Sequence, residues 1–303
     1  MTNIMKEMFV PATISNVRPV LPGEITEIVL TLPREVEIEG QIFPVRDQMR
    51  PGTAFLAKPW GQRTEKFRRR MYTRSNCSLQ SSGVLETIIN DTHREKADTS
   101  PWWQTHELEK LCRAGGTVAV RLDFDPLLSE FTVYENARDL HHSNLRLEPD
   151  ANLDGWHMVA IGLLTGITPF LSYVRYLQAM EFGQGSGSSG IRFTLVVSVA
   201  NPQSLMAHEE LLECAKRYPE NFRYHPVLTR EWPQDWPFST GRLMRTEEKA
   251  EEARIDIGPL LDLIPNLRDS HVRFCGNAEA RDQLLQGLQQ QAIAPLSIRA
   301  EVW

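Results

Sequence analysis

Apolar and polar residues alternate along the first part of the chain, as they do in half-buried β-strands. In the run 26–32 the apolar positions recur at every second residue, which is the period of a strand. Turn signals such as Pro22-Gly23 separate the runs. Short strands at this spacing predict a small antiparallel β-barrel over residues 10–135, with strands at 12–14, 26–32, 50–56, 83–89 and 117–122 and one helix at 105–111.

The period changes after Trp156. Apolar runs of strand length now alternate with helical patterns, and this alternation predicts a parallel sheet with helices on both faces. The strands are expected at 157–162, 191–199, 222–228 and 271–275, and the helices at 167–181, 204–217 and 278–290. A glycine- and serine-rich surface loop at 183–190 and a charged helix at 246–254 lie between them.

These two patterns predict two domains. The polar segment 135–155 is the expected linker, so that residues 1–150 form the barrel domain with its linker and residues 151–303 form the α/β domain. A chain of 303 residues is long enough to bury two cores.

Composition then narrows the class of protein. The chain is 41% apolar and 24% charged with a net charge of −6, which is typical of a soluble globular protein and argues against nucleic acid or anionic membrane as a general partner. The stretch 156–174 carries no Asp, Glu, Lys or Arg, but Gly162 and Pro169 inside it indicate a strand, a turn and a helix rather than a membrane span.

The cysteines at 77, 112, 214 and 275 are scattered. No pair has the spacing of a zinc site or an iron–sulfur cluster, so we expect no metal centre and a reducing, cytoplasmic location. The N-terminal residues 1–15 lack an apolar run of signal-peptide length.

Several short motifs suggest chemistry. An apolar run at 158–162 is followed by Thr165-Gly166 and by Pro169, and a strand, a tight turn and a helix start together form an anion site. Leu164 stands where a glycine would be expected. Cys275 lies at another predicted strand end, where a ligand in an open α/β sheet binds. In Arg70-Met71-Tyr72-Thr73, strand alternation puts Arg70 and Tyr72 on one face.

In this order, and with Ala300-Glu301-Val302-Trp303 closing the chain, these motifs resemble the ferredoxin–NADP⁺ reductase superfamily over nearly the whole sequence. The resemblance implies FAD in the barrel domain. It implies that Arg70 binds the FAD pyrophosphate, that Tyr72 packs on the flavin and that Thr73 forms a hydrogen bond near flavin N5, with Met71 between them. It also implies that Thr105, at the start of the 105–111 helix, binds the pyrophosphate.

The resemblance further implies NADP(H) in the α/β domain. Thr165 and Gly166 match the segment that receives the pyrophosphate, whereas Leu163 and Leu164 replace a threonine and a glycine. A Cβ at 164 limits close backbone approach, so we expect binding that is looser or shifted.

The 2′-phosphate and the nicotinamide have their own expected residues. Thr229, Arg230 and Arg242 match elements that hold the 2′-phosphate, and we expect a preference for NADPH. Cys275, with Gly276 and Asn277 after it, corresponds to residues that lie beside the nicotinamide.

The C-terminal residues complete the implied site. By resemblance Glu301 helps to relay protons, and Trp303 stacks on the flavin where the nicotinamide must go; stacking of Trp303 on the adenine is the alternative. Thr73, Cys275, Glu301 and Trp303 are the candidate catalytic residues.

One segment of this acidic chain is strongly basic and suggests a binding partner. Across 63–74 six basic residues oppose the single acid Glu65. A solvated loop is the usual meaning of such a run. Beside a flavin it suits an acidic ferredoxin or flavodoxin that docks near Arg63, Lys66 and Arg68.

We therefore expect a monomeric FAD enzyme that transfers electrons between NADPH and ferredoxin or flavodoxin. One alternative is the reductase component of a multicomponent oxygenase, which would need a separate ferredoxin. The other is a flavin-binding redox sensor without turnover, for which Leu163-Leu164 is the best argument.

Overall fold

The computed structural model describes residues 7–22, 24–48, 50–61, 63–90, 99, 102–103, 116–134, 145–147, 152–186, 190–247 and 254–302. The chain forms two compact units. The first unit comprises Met1–Leu147 together with Leu171–Tyr176, and the second comprises Glu148–Phe170 and Leu177–Trp303.

The first unit is a curled, mostly antiparallel sheet. Its described strands are β1 (Glu7–Leu21), β2 (Ile25–Thr31), β3 (Glu35–Ile38), β4 (Gln41–Arg46), β5 (Ala54–Lys58), β6 (Trp60–Gly61), β7 (Lys66–Phe67), β8 (Arg70–Thr73), β9 (Val84–Asn90), β10 (Thr117–Asp125) and β11 (Glu130–Val133).

Neighbouring strands close this sheet into a ring. The long β1 pairs with β10 through its first half and with β2 through its second, and the register shifts between Ile14 and Asn16, as at a β-bulge that bends a strand. β2 continues to β9, while β10 continues to β5 and β8. The bridge between Arg74 and Thr87 joins the two ends. The predicted antiparallel barrel is confirmed, with the addition of the peripheral strands β3, β4 and β11.

Alternating side chains fill the interior of the ring. Ile28, Leu30, Leu85, Val120 and Phe131 are all at most 1% exposed and belong to one core cluster. Burial of this apolar area stabilises the unit by roughly 25 cal/mol for each Å² removed from water.

Arg74 requires a correction. The sequence places it in the basic run 63–74, which was expected to be exposed. Its side chain is instead 1% exposed and pairs through two nitrogens with Asp47, at 2.6 and 2.8 Å. A third bond, of 2.8 Å, goes to the Val84 carbonyl. A buried guanidinium needs such partners because an unpaired buried charge is strongly destabilising. Arg74 therefore holds strands together and offers no charge to a partner.

The second unit is a parallel sheet with helices. Its strands are β12 (His157–Leu163), β13 (Arg192–Val199), β14 (Phe222–Leu228), β15 (Ser239–Thr240), β16 (Arg245–Glu247), β17 (Arg254–Asp256), β18 (His271–Gly276) and β19 (Ser297–Val302). The helices are α1 (Thr168–Ala179), α2 (His208–Arg217), α3 (Gly258–Leu263) and α4 (Ala278–Gln290). Short 3₁₀ helices occur at Leu164–Ile167, Glu181–Ser186, Pro202–Ser204 and Leu267–Asp269.

The main sheet has the order β15-β14-β13-β12-β18-β19, and its strands pair in parallel. This confirms the predicted α/β architecture. The strand expected at 157–162 and the helix expected at 167–181 are present as β12 and α1, before and after the Leu164–Ile167 turn. The stretch 156–174 is a strand, a 3₁₀ turn and the start of α1. Among the described residues no helix has both the length and the apolar character needed to cross a bilayer.

Some expected elements differ from the structure. At both ends of the charged helix expected at 246–254 the structure has strands, because β16 and β17 form an antiparallel pair with Arg245 opposite Asp256; residues 248–253 between them lie outside the described residues. Ile255 and Ile257 alternate into the core of the unit, which favours a strand. The expected loop at 183–190 begins as part of a 3₁₀ segment anchored by the fully buried Phe182.

Two other segments lie wholly or partly outside the described residues. The helix expected at 105–111 is among them, as is most of the linker 135–155. Within that linker, Leu145 and Leu147 are buried.

Candidate functional site

The carboxyl ends of the parallel strands bring together residues that are far apart in sequence. Gly162 at the end of β12 lies opposite Cys275 on β18, and Cys275 lies opposite Glu301 on β19. In open parallel sheets this edge is where ligands bind. The strand that leads into the Gly/Thr turn and the strand that ends at Cys275 are therefore direct neighbours in the sheet.

The closest backbone approach among these residues is between Gly166 and Cys275. A Cβ built at Gly166 would collide with the carbonyl oxygen of Cys275. At Gly162 a Cβ would lie 3.0 Å from the Ile167 nitrogen and 3.1 Å from the Gly166 carbonyl. Gly166 therefore has no room for a side chain, whereas a side chain at Gly162 would crowd the backbone of the turn. The turn is thereby held tightly against the β18 strand end.

The turn is left-handed at Leu164, where φ is +50°. Glycine adopts this conformation without strain, and for other residues it costs roughly 1–2 kcal/mol. The conformation explains why a glycine is expected at 164. The leucine keeps the backbone course of the motif and adds a half-buried side chain to it.

Leu163 has a packing role that the sequence did not reveal. A Cβ built at Gly276 would lie 2.9 Å from both Cγ and Cδ1 of Leu163. The isobutyl group therefore lies over the end of β18, directly after Cys275. It narrows the space at the strand end where the resemblance expects a nicotinamide.

The helical segment after the turn starts without a side-chain cap. Leu163 occupies the N-cap position of the 3₁₀ turn and forms no capping hydrogen bond. Thr168 donates its hydroxyl hydrogen to the Thr165 carbonyl at 2.6 Å and so ties the turn to α1. An uncapped helical start presents backbone N–H groups and a positive dipole end, which suits an anion.

Cys275 is a buried thiol with a raised pKa. Burial raises the pKa of Cys275 well above its ordinary value, and the negative charge of Glu301 raises it further. The thiol is therefore protonated at neutral pH and is a poor nucleophile. Glu301 is itself 5% exposed. The two residues can supply close contact and a proton-accepting carboxylate, but no covalent chemistry.

Asn277 follows β18 and caps α4. Its side-chain oxygen accepts a hydrogen bond of 2.8 Å from the Ala280 nitrogen. The cap fixes the direction in which the chain leaves Cys275-Gly276. Any contact of Asn277 with a nucleotide must therefore come from its amide NH₂ group.

Thr229, Arg230 and Arg242 gather at the adjacent strand ends. Leu228 at the end of β14 lies opposite Thr240 on β15, so Arg230 and Arg242 each follow that pair by two residues. Both arginines are exposed. The Thr229 hydroxyl donates to the Val199 carbonyl at 3.1 Å, so binding a phosphate dianion would require this hydrogen to change partners.

Of the candidate FAD residues, Arg70, Met71, Tyr72 and Thr73 form β8. Tyr72 is 9% exposed and its ring lies near Phe55 and Trp103, with centroid distances of 5.8 Å. Its hydroxyl accepts a hydrogen bond of 2.9 Å from Trp103 Nε1.

Arg70 and Thr73 are half-buried. Stacking of Tyr72 on a flavin stays a prediction. Thr105 and Trp303 lie outside the described residues.

The basic run is a hairpin with an aromatic centre. Strands β6 and β7 pair Trp60 with Phe67, whose rings lie 5.2 Å apart. Arg63 and Lys66 are exposed, Arg68 is half-exposed, and Phe67 is 65% exposed. Phe67 was not among the residues predicted for this surface, because its place beside Trp60 depends on the hairpin and no local sequence pattern shows it.

Comparison with known proteins shows what parts of the chain resemble. Residues 158–282 match the family described as the oxidoreductase NAD-binding domain. The chain is also 32% identical, over 160 residues, to the chloroplastic root isozyme of ferredoxin–NADP reductase from Oryza sativa subsp. japonica. The match covers 52% of this chain and 38% of the rice protein's length, so the chain spans well under two thirds of that relative.

Solved structures extend the likeness to the whole fold. A cytochrome P450 reductase from Amycolatopsis has a TM-score of 0.65 at 18% identity, covering 98% of this chain and 70% of that one. A ferredoxin NADP⁺ reductase from Neisseria gonorrhoeae with bound FAD and NADP has a TM-score of 0.59 at 17% identity, covering 97% and 98%. The chain therefore shares the two-domain fold of these proteins.

The Cys275 environment generates a prediction. We expect Cys275 to resist alkylation by iodoacetamide at pH 8, because burial and the Glu301 charge both keep the thiol protonated. Glu301→Gln removes the second effect alone, so the pKa of Cys275 should fall and its alkylation should accelerate several-fold.

Peptide-resolved mass spectrometry measures each thiol separately. Cys214, whose pKa is raised to about 12 mainly by burial, is the internal control and should not change. Equal acceleration at Cys214 would mean that Glu301→Gln loosens the fold instead of altering a local charge.

Proposed function

We propose that the chain is an FAD-dependent oxidoreductase that transfers electrons between NADPH and a small one-electron carrier, ferredoxin or flavodoxin, in the cytoplasm. The observation that carries the proposal is the close approach of Gly166 to Cys275 at one sheet edge, where Glu301 is the strand partner of Cys275. Similarity of 160 residues of the chain to a ferredoxin–NADP reductase supports it.

The residues present fit a nicotinamide dinucleotide. Gly166 lies too close to the Cys275 carbonyl for any side chain, and the 3₁₀ turn at Leu164–Ile167 begins without a side-chain cap on its backbone N–H groups. Thr165 and Gly166 would hold the pyrophosphate there, and Arg230 with Arg242 would hold the 2′-phosphate. Leu163 and Cys275-Gly276 would border the nicotinamide.

The residues of β8 fit a flavin dinucleotide by their chemistry. Arg70 supplies a half-buried guanidinium suited to a diphosphate, Tyr72 supplies an aromatic surface, and Thr73 supplies a hydroxyl. Thr105 is proposed as a second pyrophosphate ligand. When bound, the flavin supplies the exchange between two-electron and one-electron transfer.

The protein's own groups position the reactants and handle protons. Cys275, small and protonated, allows close approach of the nicotinamide without forming a bond to it. Glu301, buried beside it, would accept or return a proton. Thr73 would donate a hydrogen bond at the flavin, and Trp303 would stack on the flavin or on the adenine.

The first prediction from this proposal concerns nucleotide preference. Arg230→Ala combined with Arg242→Ala should raise the KM for NADPH and hardly change that for NADH. Charge-assisted hydrogen bonds contribute about 1.5–3 kcal/mol each, so removing both arginines should raise the KM for NADPH roughly 10²- to 10⁴-fold.

Steady-state kinetics with ferricyanide as acceptor measure both nucleotides. Arg217→Ala with Arg268→Ala removes the same charge from exposed positions of the same unit and should leave both values unchanged. Comparable losses for NADPH and NADH in the Arg230/Arg242 variant would refute the 2′-phosphate assignment.

The second prediction concerns the carrier. If an acidic carrier docks on the hairpin of β6 and β7, the rate at which the carrier is reduced should fall steeply as the salt concentration rises. Electrostatic steering is screened within a Debye length of about 8–10 Å. Replacing Arg63, Lys66 and Arg68 by glutamate should weaken the carrier reaction and leave ferricyanide reduction mostly intact.

The control reverses the same number of charges elsewhere, at Arg34, Lys216 and Arg217, all exposed. A carrier reaction independent of salt, or equal loss in both triple variants, would mean that the hairpin is only a solvated loop. Activity restricted to the ferredoxin of an oxygenase system would favour the oxygenase-reductase alternative, and absence of turnover with FAD bound would favour the sensor.

A further inference from the structure

A small pocket lies at the amino ends of the parallel strands, at the sheet edge opposite to Cys275. Its volume is about 90 Å³. No part of the proposed oxidoreductase chemistry uses it. The pocket is lined by His157, Arg192, Phe193, Thr194, Glu220, Asn221, Arg223 and Asn266.

Strand register places the polar lining on one face of the sheet. Arg192 lies opposite His157, and Thr194 lies opposite Arg223. Because side chains alternate along a strand, Arg192 and Thr194 project from the same face of β13. The two arginines are therefore diagonal neighbours with Thr194 beside both.

Neither guanidinium is neutralised by the part of the chain that the structure describes. Arg192 and Arg223 are exposed and form no ion pair with any described residue. Glu220 is the single acid in the lining, so the formal charge of the lining is positive. Two like charges on neighbouring strands are unfavourable alone and favour an anion between them.

His157 lies close enough to both arginines for their positive charges to affect its pKa. Burial lowers the pKa of His157 first, Arg192 and Arg223 lower it further, and Asp269 opposes them. An anion in the pocket would cancel the arginine effects and raise the pKa of His157.

The hydroxyl groups around His157 can accommodate either protonation state. Ser270 lies 2.8 Å from Nδ1 and also 2.8 Å from the Asn266 carbonyl, to which it can donate its hydrogen. Nδ1–H then donates to Ser270, and Nε2 lies 3.0 Å from the Thr194 hydroxyl. When Nε2 is protonated it donates to Thr194, whose hydrogen is released to point into the pocket.

We propose that this pocket binds a tetrahedral oxyanion, the size of a phosphate group, held by Arg192, Arg223 and the hydroxyl of Thr194. A volume of about 90 Å³ leaves room for an inorganic oxyanion or for the phosphate group of a monoester.

The test is a histidine titration of the full chain by NMR, with the His157 signal assigned by its loss in His157→Gln. The probe is sodium sulfate, which stays doubly charged across pH 5–8, against sodium chloride at equal ionic strength. Sulfate should raise the His157 midpoint, because binding favours the protonated ring. No difference between sulfate and chloride at His157 would overturn the proposal.

Variants separate this pocket from general charge effects. Arg192→Gln with Arg223→Gln should weaken sulfate binding by about tenfold or more for each arginine removed, while NADPH-dependent ferricyanide reduction is retained. Glu220→Gln should tighten binding, because it removes the opposing charge. Arg34→Gln with Arg217→Gln carries the same loss of charge and should bind sulfate normally.

The nucleotide site is excluded by a further variant. Arg230→Ala with Arg242→Ala should leave the sulfate effect at His157 intact, so the result does not depend on the proposed NADPH site. Inorganic phosphate compared with glycerol 3-phosphate at pH 7.5 identifies whether the free ion or a monoester is preferred. Failure of both to bind, or equal binding in the Arg192/Arg223 variant, would overturn the proposal.

Discussion

The close backbone approach between Gly166 and the carbonyl of Cys275 is the constraint on which the site depends. It joins the turn after β12 to the end of β18, and the register then places Glu301 next to Cys275. Glycine at 162 and 166 leaves the space in which the turn folds back. The close approach of Gly166 to Cys275 also accounts for the φ of +50° at Leu164, because it fixes the backbone conformation of the turn whether residue 164 is glycine or leucine.

The two edges of the parallel sheet carry different chemistry. At the carboxyl edge a protonated thiol, a buried carboxylate and a glycine turn combine tight packing with an anion-accepting helical start. At the amino edge two exposed arginines and the hydroxyl of Thr194 line a small pocket together with His157 and Glu220. A parallel sheet separates these edges by the length of its strands, so one unit can hold two anion sites with independent charge requirements.

Much of the fold followed from periodicity, since β12 and β13 are mostly apolar runs and α4 begins after a capping residue, Asn277. The roles proposed for Cys275 and Gly166 came from motif order and from the resemblance to a known family. The edge strands β15 and β19 were missed because short edge strands bury little and give a weak pattern. Arg74 was misassigned because a charge run does not reveal that Asp47, distant in sequence, neutralises one member. Phe67 and Leu163 depend on contacts that no local pattern records.

Gly166→Ala tests the central claim most directly, with NADPH affinity measured by quenching of flavin fluorescence in protein of verified FAD content. The added Cβ collides with the Cys275 carbonyl, so NADPH should bind at least tenfold more weakly while FAD is retained. Gly83→Ala meets no atom within 4 Å and is the control, with some backbone strain and normal NADPH binding. Unchanged NADPH affinity in Gly166→Ala would contradict the account.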